Sequence, residues 1–454
     1  MEDITMRKIF QYIMLAVVTI VMASCTSDIE ETTATTGKSN VQLVVGEFPA
    51  FGDSQTRAIG TPDEGKTSWA VGDELILEIA NTSYGRHSAT FTYNGKSWEL
   101  TSGELVYLEG DPAYISHVYY APNYKWEAGE LFLKKGKVAG TDEYIEGKAI
   151  ITGNGETITV SFAEATRKYS RLRIATIPNE QITVDTEYFT PAGSSDMEQN
   201  GNYTLTSDKK GNAYLYGTFE NNSEVTVKYR EAALTTYTFS QATENAKSYA
   251  LDATVISANS AEEIKSAIEQ KVADGKTTIR LNLAPNAGTN EFMAIREAIK
   301  GAAPNDLGTI ELTIIGVETI PEEAFYKMLQ LKSVRMSDVK EIKKYAFKEC
   351  QYLTVVEAPS LNKLYSGAFK KCDQLSKLTF GPINYADERN WPIFEYITPN
   401  IDLILSDYQK EMIETDSYLY TANNDRDYAG SDEHNSKNFL GREFKSITCR
   451  YPVE

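Results

Sequence analysis

Cysteine and histidine are scarce in this chain, at four and three residues among 454. Three of the cysteines, Cys350, Cys372 and Cys449, fall in the last quarter, which is no disulfide framework. The histidines, His87, His117 and His434, lie far apart and without ligand spacing, which argues against a metal site or a histidine-based triad. Basic charge is short as well. The net charge is −19 and no basic stripe survives the surrounding acids, so the composition argues against a nucleic-acid partner. The apolar run from Ile9 to Met22 is too short for a membrane span, which needs about 20 apolar residues.

What is present begins with an address. In "MRKIFQYIMLAVVTIVMASC", starting at Met6, two basic residues precede the apolar run and small residues follow it, the layout of a secretory signal. The stretch "TSDIEETTATTGKSN" is polar and without apolar period, so residues 26–39 are expected to be a flexible tether. The ending "MASC" resembles a bacterial lipobox, with Ala23 and Ser24 before Cys25 and Met22 where leucine is usual. The resemblance implies that residues 1–25 end at a cysteine that is cleaved before and lipidated, and that the chain meets the membrane through that anchor only. Acyl chains contribute about 0.8 kcal/mol per buried methylene, enough for several to hold a protein on a bilayer. The acidic residues after Cys25 resemble the export signal of Bacteroidetes surface lipoproteins, which implies an outer-membrane, surface-exposed location.

From Val41 onward the pattern is period two or short β-rich runs. "VQLVV", "ELILEI", "SATFTY", "ISHVYY" and "TITVSF" are short runs bounded by turn residues, as in packed sheets. The chain has 28 tyrosines, a residue suited to exposed sheet surfaces and contact faces. "TRAIGTPDEGKTSWAVGDELILEI", "SFAEATRKYSRLRIATI", "GNAYLYG" and "KSYALDATV" together resemble the fimbrillin-like proteins of Bacteroidetes. The resemblance implies two transthyretin-like β-sandwiches, here residues 40–162 and a smaller one at 163–257. It also makes Arg57 the matching position for a processing site. Ser54 in "GDSQ" lacks the Asp-x-x-His partner that a hydrolase would need around His434 and reads as a loop serine.

Residues 258–308 read as a helical cap. Ile264, Ala267, Ile268 and Val272 share one helical face between Ser260 and Gly275, and "NEFMAIREAIKG" is a second amphipathic helix. Beyond them, Phe325, Phe347 and Phe369 recur every 22 residues, as do Leu331, Leu353 and Leu375, and Val317, Val339 and Leu361. Such a unit cannot bury its own apolar face and must stack. "EEAFYKMLQLKSV", "KYAFKECQYLTVV" and "SGAFKKCDQLSKL" resemble BspA-type, or Treponema-type, leucine-rich repeats, which implies a cell-surface protein adhering to host matrix or other bacteria. Trp391 is expected in register with Phe369, and the repeat domain with its degenerate end is set at 309–454.

Cys350 and Cys372 occupy the position of Met328, so they read as packing rather than chemistry. The strand residues expected to face a ligand are Glu311, Thr313, Lys332, Arg335, Thr354, Glu357, Lys377 and Thr379. The expected fold is mainly β: a fimbrillin/transthyretin-like β-sandwich region, then a short leucine-rich-repeat solenoid with a helical cap. The expected function is non-enzymatic, with no cofactor and no metal. It is a lipid-anchored adhesion or recognition protein binding matrix, cells or glycans through the repeats. The alternative is a fimbrial tip or accessory subunit that joins pilus subunits by donor-strand exchange.

Overall fold

The computed structural model describes residues 32–34, 40–49, 51–53, 66–81, 85–103, 114–147, 150–153, 157–162, 167–230, 232–258, 260–387, 392–406, 438–440 and 442–450. Cys25, Ser54, Arg57, Trp391 and His434 lie outside the described residues. The fold is mainly β, with two helices among the described residues.

The first β unit pairs two sheets. One has the spatial order Thr32–Ala34, Asn40–Val45, Thr157–Phe162, Ile150–Gly153. The other runs Ile145–Gly147, Tyr114–Tyr120, Glu74–Asn81, Gly85–Tyr93, Trp98–Gly103. Leu43 and Phe48 meet Leu75, Leu77, Phe91, Trp98 and Val118 in one core between the sheets. The opposite face of the second sheet is covered too: Ile76 and Tyr119 pack against Ala121 and Tyr124, beside the hairpin Tyr124–Glu127 and Glu130–Leu133. A strand covered on both faces has no reason to alternate, which is why "ELILEI" reads as a nearly continuous apolar run. Thr32–Ala34, inside the span expected to be a tether, pairs antiparallel with Asn40–Val45. A polar run can do this at a sheet edge, where one side of each strand is open to solvent.

The second β unit orders Ala232–Thr238, Glu224–Tyr229, Gln181–Pro191, Asn212–Phe219, Ser170–Ala175, Lys247–Asp252 and Gly52–Asp53, with Glu198–Thr206 on Gln181–Pro191. The long central strand changes partners along its length. Thr183–Thr186 pair with Glu224–Tyr229, and Phe189–Pro191 pair with Asn212–Phe219. Tyr188 sits between the two segments at φ 49°, the left-handed kink that redirects the strand. Gly52–Asp53 precedes most of the first unit in sequence yet closes the edge of the second.

The third region is a stack of coils. Ile256–Ala258, Thr278–Leu283, Ile310–Ile315, Leu331–Met336, Val355–Ala358, Lys377–Phe380, Asp402–Ser406 and Ser446–Arg450 form one parallel sheet. A second parallel ladder runs through Thr319–Ile320, Glu341–Ile342, Lys363–Tyr365 and Tyr385–Asp387. Helix α1 (Ala261–Ala273) is capped by Ser260 and buries Ile264 and Ile268. Helix α2 (Thr289–Ala302) buries Phe292, Ile295 and Ile299. Phe292 meets Phe325 edge-on at 5.6 Å, so α2 covers the first ring of a phenylalanine column. That column continues Phe325–Phe347 at 5.1 Å, Phe347–Phe369 at 5.4 Å and Phe369–Phe394 at 5.7 Å. Phe394, three residues beyond Trp391, therefore holds the place the sequence period assigns to Trp391. The backbone agrees: Phe369 N donates to Ile393 O just as Phe347 N donates to Ala368 O.

Candidate ligand-facing surface of the repeats

Each coil of the repeats sends three apolar side chains inward and leaves charged or hydroxyl residues such as Lys332, Arg335, Thr354 and Glu357 on the outer side. Leu331, Val334 and Met336 are fully buried, as are Leu353, Val356 and Ala358 in the next coil. The parallel register then sets Arg335 beside Glu357 and Glu357 beside Thr379. Glu357 joins three coils: its carboxylate lies 3.0 Å from Arg335 and 3.7 Å from Lys377. Lys332 pairs with Glu311 at 2.8 Å, and the Thr354 hydroxyl donates to Lys332 O at 2.8 Å. Lys332 is exposed, while Arg335, Thr354, Glu357, Lys377 and Thr379 are half-buried. The face is amphoteric, able to offer cationic donors, carboxylate acceptors and hydroxyls within three coils.

Thr313 does not belong to this surface. It is only 3% exposed, because the second β unit packs over the start of the sheet. Ile315 on the same strand joins the core of that unit. Arg280 on the preceding strand donates to Leu234 O at 2.5 Å and faces Asp252 at 3.9 Å. Burial beside Arg280 removes Thr313 as a ligand contact, whereas Glu311, paired with Lys332, stays as accessible as Glu357.

A second charged ladder escaped the alternation argument because its strands are only two or three residues long. Glu341 receives Lys343 and also Lys363, one coil later, at 2.7 Å. These hydrogen bonds hold its carboxyl below the ordinary value. Lys343 also lies 4.4 Å from the Tyr365 ring, and Tyr365 meets Tyr385 at 5.5 Å. The signal that could have revealed it is the same period of 22 residues, which places Lys363 after Glu341.

Cys350 and Cys372 are free and fully buried. Each thiol donates to the carbonyl of the previous coil's phenylalanine, Phe325 or Phe347, at 3.0 Å. Burial pushes the Cys350 thiol up to about 12 and Cys372 well above its ordinary value. A thiol so far from its thiolate is a poor nucleophile. Among the described residues no group of three or more His, Cys, Asp or Glu is placed to hold a metal ion.

Residues 307–413 match the BspA type leucine rich repeat region, in six copies. Comparison with curated proteins and with solved structures found no match. The repeats, about a quarter of the chain, are thus of BspA type, and regions of this type are commonly associated with surface adhesion and recognition.

Proposed function

We propose that this chain is a lipid-anchored surface protein that recognises matrix, cells or glycans through the face formed by Lys332, Arg335, Thr354, Glu357, Lys377 and Thr379. The observation that carries the reading is the in-register ladder of Arg335, Glu357 and Thr379 on BspA type coils. The β units, of fimbrillin-like kind in this reading, lift the coils from the anchor at Cys25. The triple variant Lys332→Ala, Arg335→Ala, Lys377→Ala of the whole chain tests the face. Binding to immobilised matrix proteins and to partner cells should fall at least tenfold, the equivalent of about 1.4 kcal/mol. Unchanged binding to all of them sinks the reading. The anchor is tested separately, by labelled palmitate incorporation that Cys25→Ser abolishes.

One observation favours a fimbrial subunit as the second reading. Asn40–Val45 is parallel to Thr157–Phe162, and Gly52–Asp53 is parallel to Lys247–Asp252. Both strands precede Arg57, so cleavage there and loss of the leading segment would open one sheet edge in each β unit. A neighbour's strand could then fill them. Immunoblots of unheated and boiled outer-membrane fractions test this: a ladder that collapses on boiling supports assembly, and a single band in both lanes rejects it.

A further inference from the structure

A cleft of about 600 Å³ opens at one end of the first β unit, remote in sequence from the coils. It forms where the chain leaves Asn40–Val45, where it approaches Glu74–Asn81, and where the turn joins Gly85–Tyr93 to Trp98–Gly103. Its wall is aromatic: half-buried Trp69 and Tyr93 line it, backed by the buried rings of Phe48 and Trp98. Two of the chain's four tryptophans are therefore in one cleft.

The wall is held rigid. The Trp69 indole N–H donates to Gly46 O at 2.9 Å. The Trp69 ring is braced edge-on by Phe48 at 4.9 Å and Trp98 at 5.2 Å. Tyr93 is tied through its backbone to Gly72 and Asp73, both bonds at 2.8 Å. In the adjoining turn, Asn94 Oδ1 accepts from the backbone N–H groups of Lys96 and Ser97, each at 2.8 Å. Gly95 completes that turn at φ 96°, where a Cβ would come within 2.9 Å of Val71.

The rim has the opposite character. Glu47, Thr67, Ser68 and Lys96 line the same cleft, and all four are exposed. One carboxylate and one ammonium give no net preference for an ion of either sign. A ligand matching both wall and rim must be neutral, with an apolar face to lie on fixed rings and hydroxyls around its edge. A pyranose has that form: its axial C–H groups make an apolar face and its equatorial hydroxyls point outward. Trp69 spends its N–H inside the protein and its ring meets Phe48, Trp98 and Tyr120 edge-on, so hydrogen bonding to a ligand falls to the rim. Cleft volumes of about 300–1,000 Å³ are those of small-ligand sites, so one to a few sugar rings fit.

We infer that this cleft is a second binding site, for a neutral pyranose-bearing glycan, formed by Phe48, Trp69, Tyr93 and Trp98 with Glu47 and Lys96 as hydrogen-bonding partners. The inference is independent of the repeat-face reading. The triple variant Lys332→Ala, Arg335→Ala, Lys377→Ala leaves sugar binding at the cleft unchanged.

The test uses the whole chain titrated with cellotetraose, xylotetraose, mannotetraose and N-acetyllactosamine, read by calorimetry and by tryptophan emission. At least one sugar should give saturable heat and shift the emission. Lys96→Ala and Glu47→Gln, both exposed, should weaken it by about tenfold each with an unchanged melting temperature. Trp69→Ala risks unfolding the unit, so Trp69→Phe, which retains an aromatic ring, separates stacking from core packing and should also weaken binding. Four outcomes overturn the inference. No sugar gives saturable heat; all three cleft variants bind as tightly as the parent; only the apolar dye anilinonaphthalene sulfonate enters the cleft; or the chain self-associates and Trp69→Phe disperses it, which makes the cleft a contact between copies.

Discussion

Arginine–glutamate pairs hold both the junction of the two β units and the face of the coils, under opposite conditions. At the junction, Arg167 and Glu143 are in direct contact, with side chains only 1% and 2% exposed. The guanidinium also donates to Pro49 O at 2.9 Å and lies 3.8 Å from the Phe51 ring. Tyr169 completes the group, donating to Glu143 at 3.1 Å. On the coils, Arg335 and Glu357 make the same kind of pair at 42% and 29% exposure. Water already solvates that pair, so it contributes little, whereas an unpaired charge at the junction would have no substitute. The junction is a single long-range assembly. The coils are held by repetition, each one stabilised by its neighbours.

The largest effect is expected in the apolar column. Phe347→Ala removes the ring between Phe325 and Phe369 and should cost about 4 kcal/mol. In a nearest-neighbour array the damage stays local. Hydrogen exchange should therefore speed up in the flanking coils and leave the first β unit protected. Equal loss of protection throughout would show that the three regions fold as one and would break the comparison.

Next comes the junction. Arg167→Ala strands Glu143 in the interior and should lower stability by about 3 kcal/mol in urea unfolding. The double variant Arg167→Met, Glu143→Leu removes both charges and should return to within about 1 kcal/mol of the parent. Arg335→Ala, on the exposed pair, should cost no more than about 0.5 kcal/mol. If Arg167→Ala and Arg335→Ala prove equal, burial does not distinguish the two pairs.

This contrast also explains what could be read from the linear sequence. The coils were legible because Phe325, Phe347 and Phe369 occupy equivalent slots, and equivalent slots demand like residues at a fixed step. The register failed only at Trp391, where the coil before Phe394 is longer by three residues. Short alternating strands announced the β units. Their junction was invisible, because Pro49, Glu143 and Arg167 meet from distant positions with no period between them. Thr313 was misplaced for the same reason: alternation along its own strand says nothing of a separate unit packing over it. The aromatic cleft draws Phe48, Trp69 and Trp98 from three segments, so its residues were in view but their meeting was not.

The smallest effect sharpens the comparison from the exposed side. The Glu341 carboxyl is held below its ordinary 4.5 by the hydrogen bond from Lys343, then by that from Lys363. A carboxyl depressed in the folded state adds stability that is present above its unfolded value and is lost as pH falls through its folded value. As pH falls below the ordinary carboxylate range the coils should therefore weaken, with about 0.5 kcal/mol of the change belonging to this half-buried site. Glu341→Gln should flatten that part of the urea midpoint–pH curve. A slope that survives the substitution would assign the acid sensitivity to other carboxylates and reduce the Glu341 ladder to surface trim.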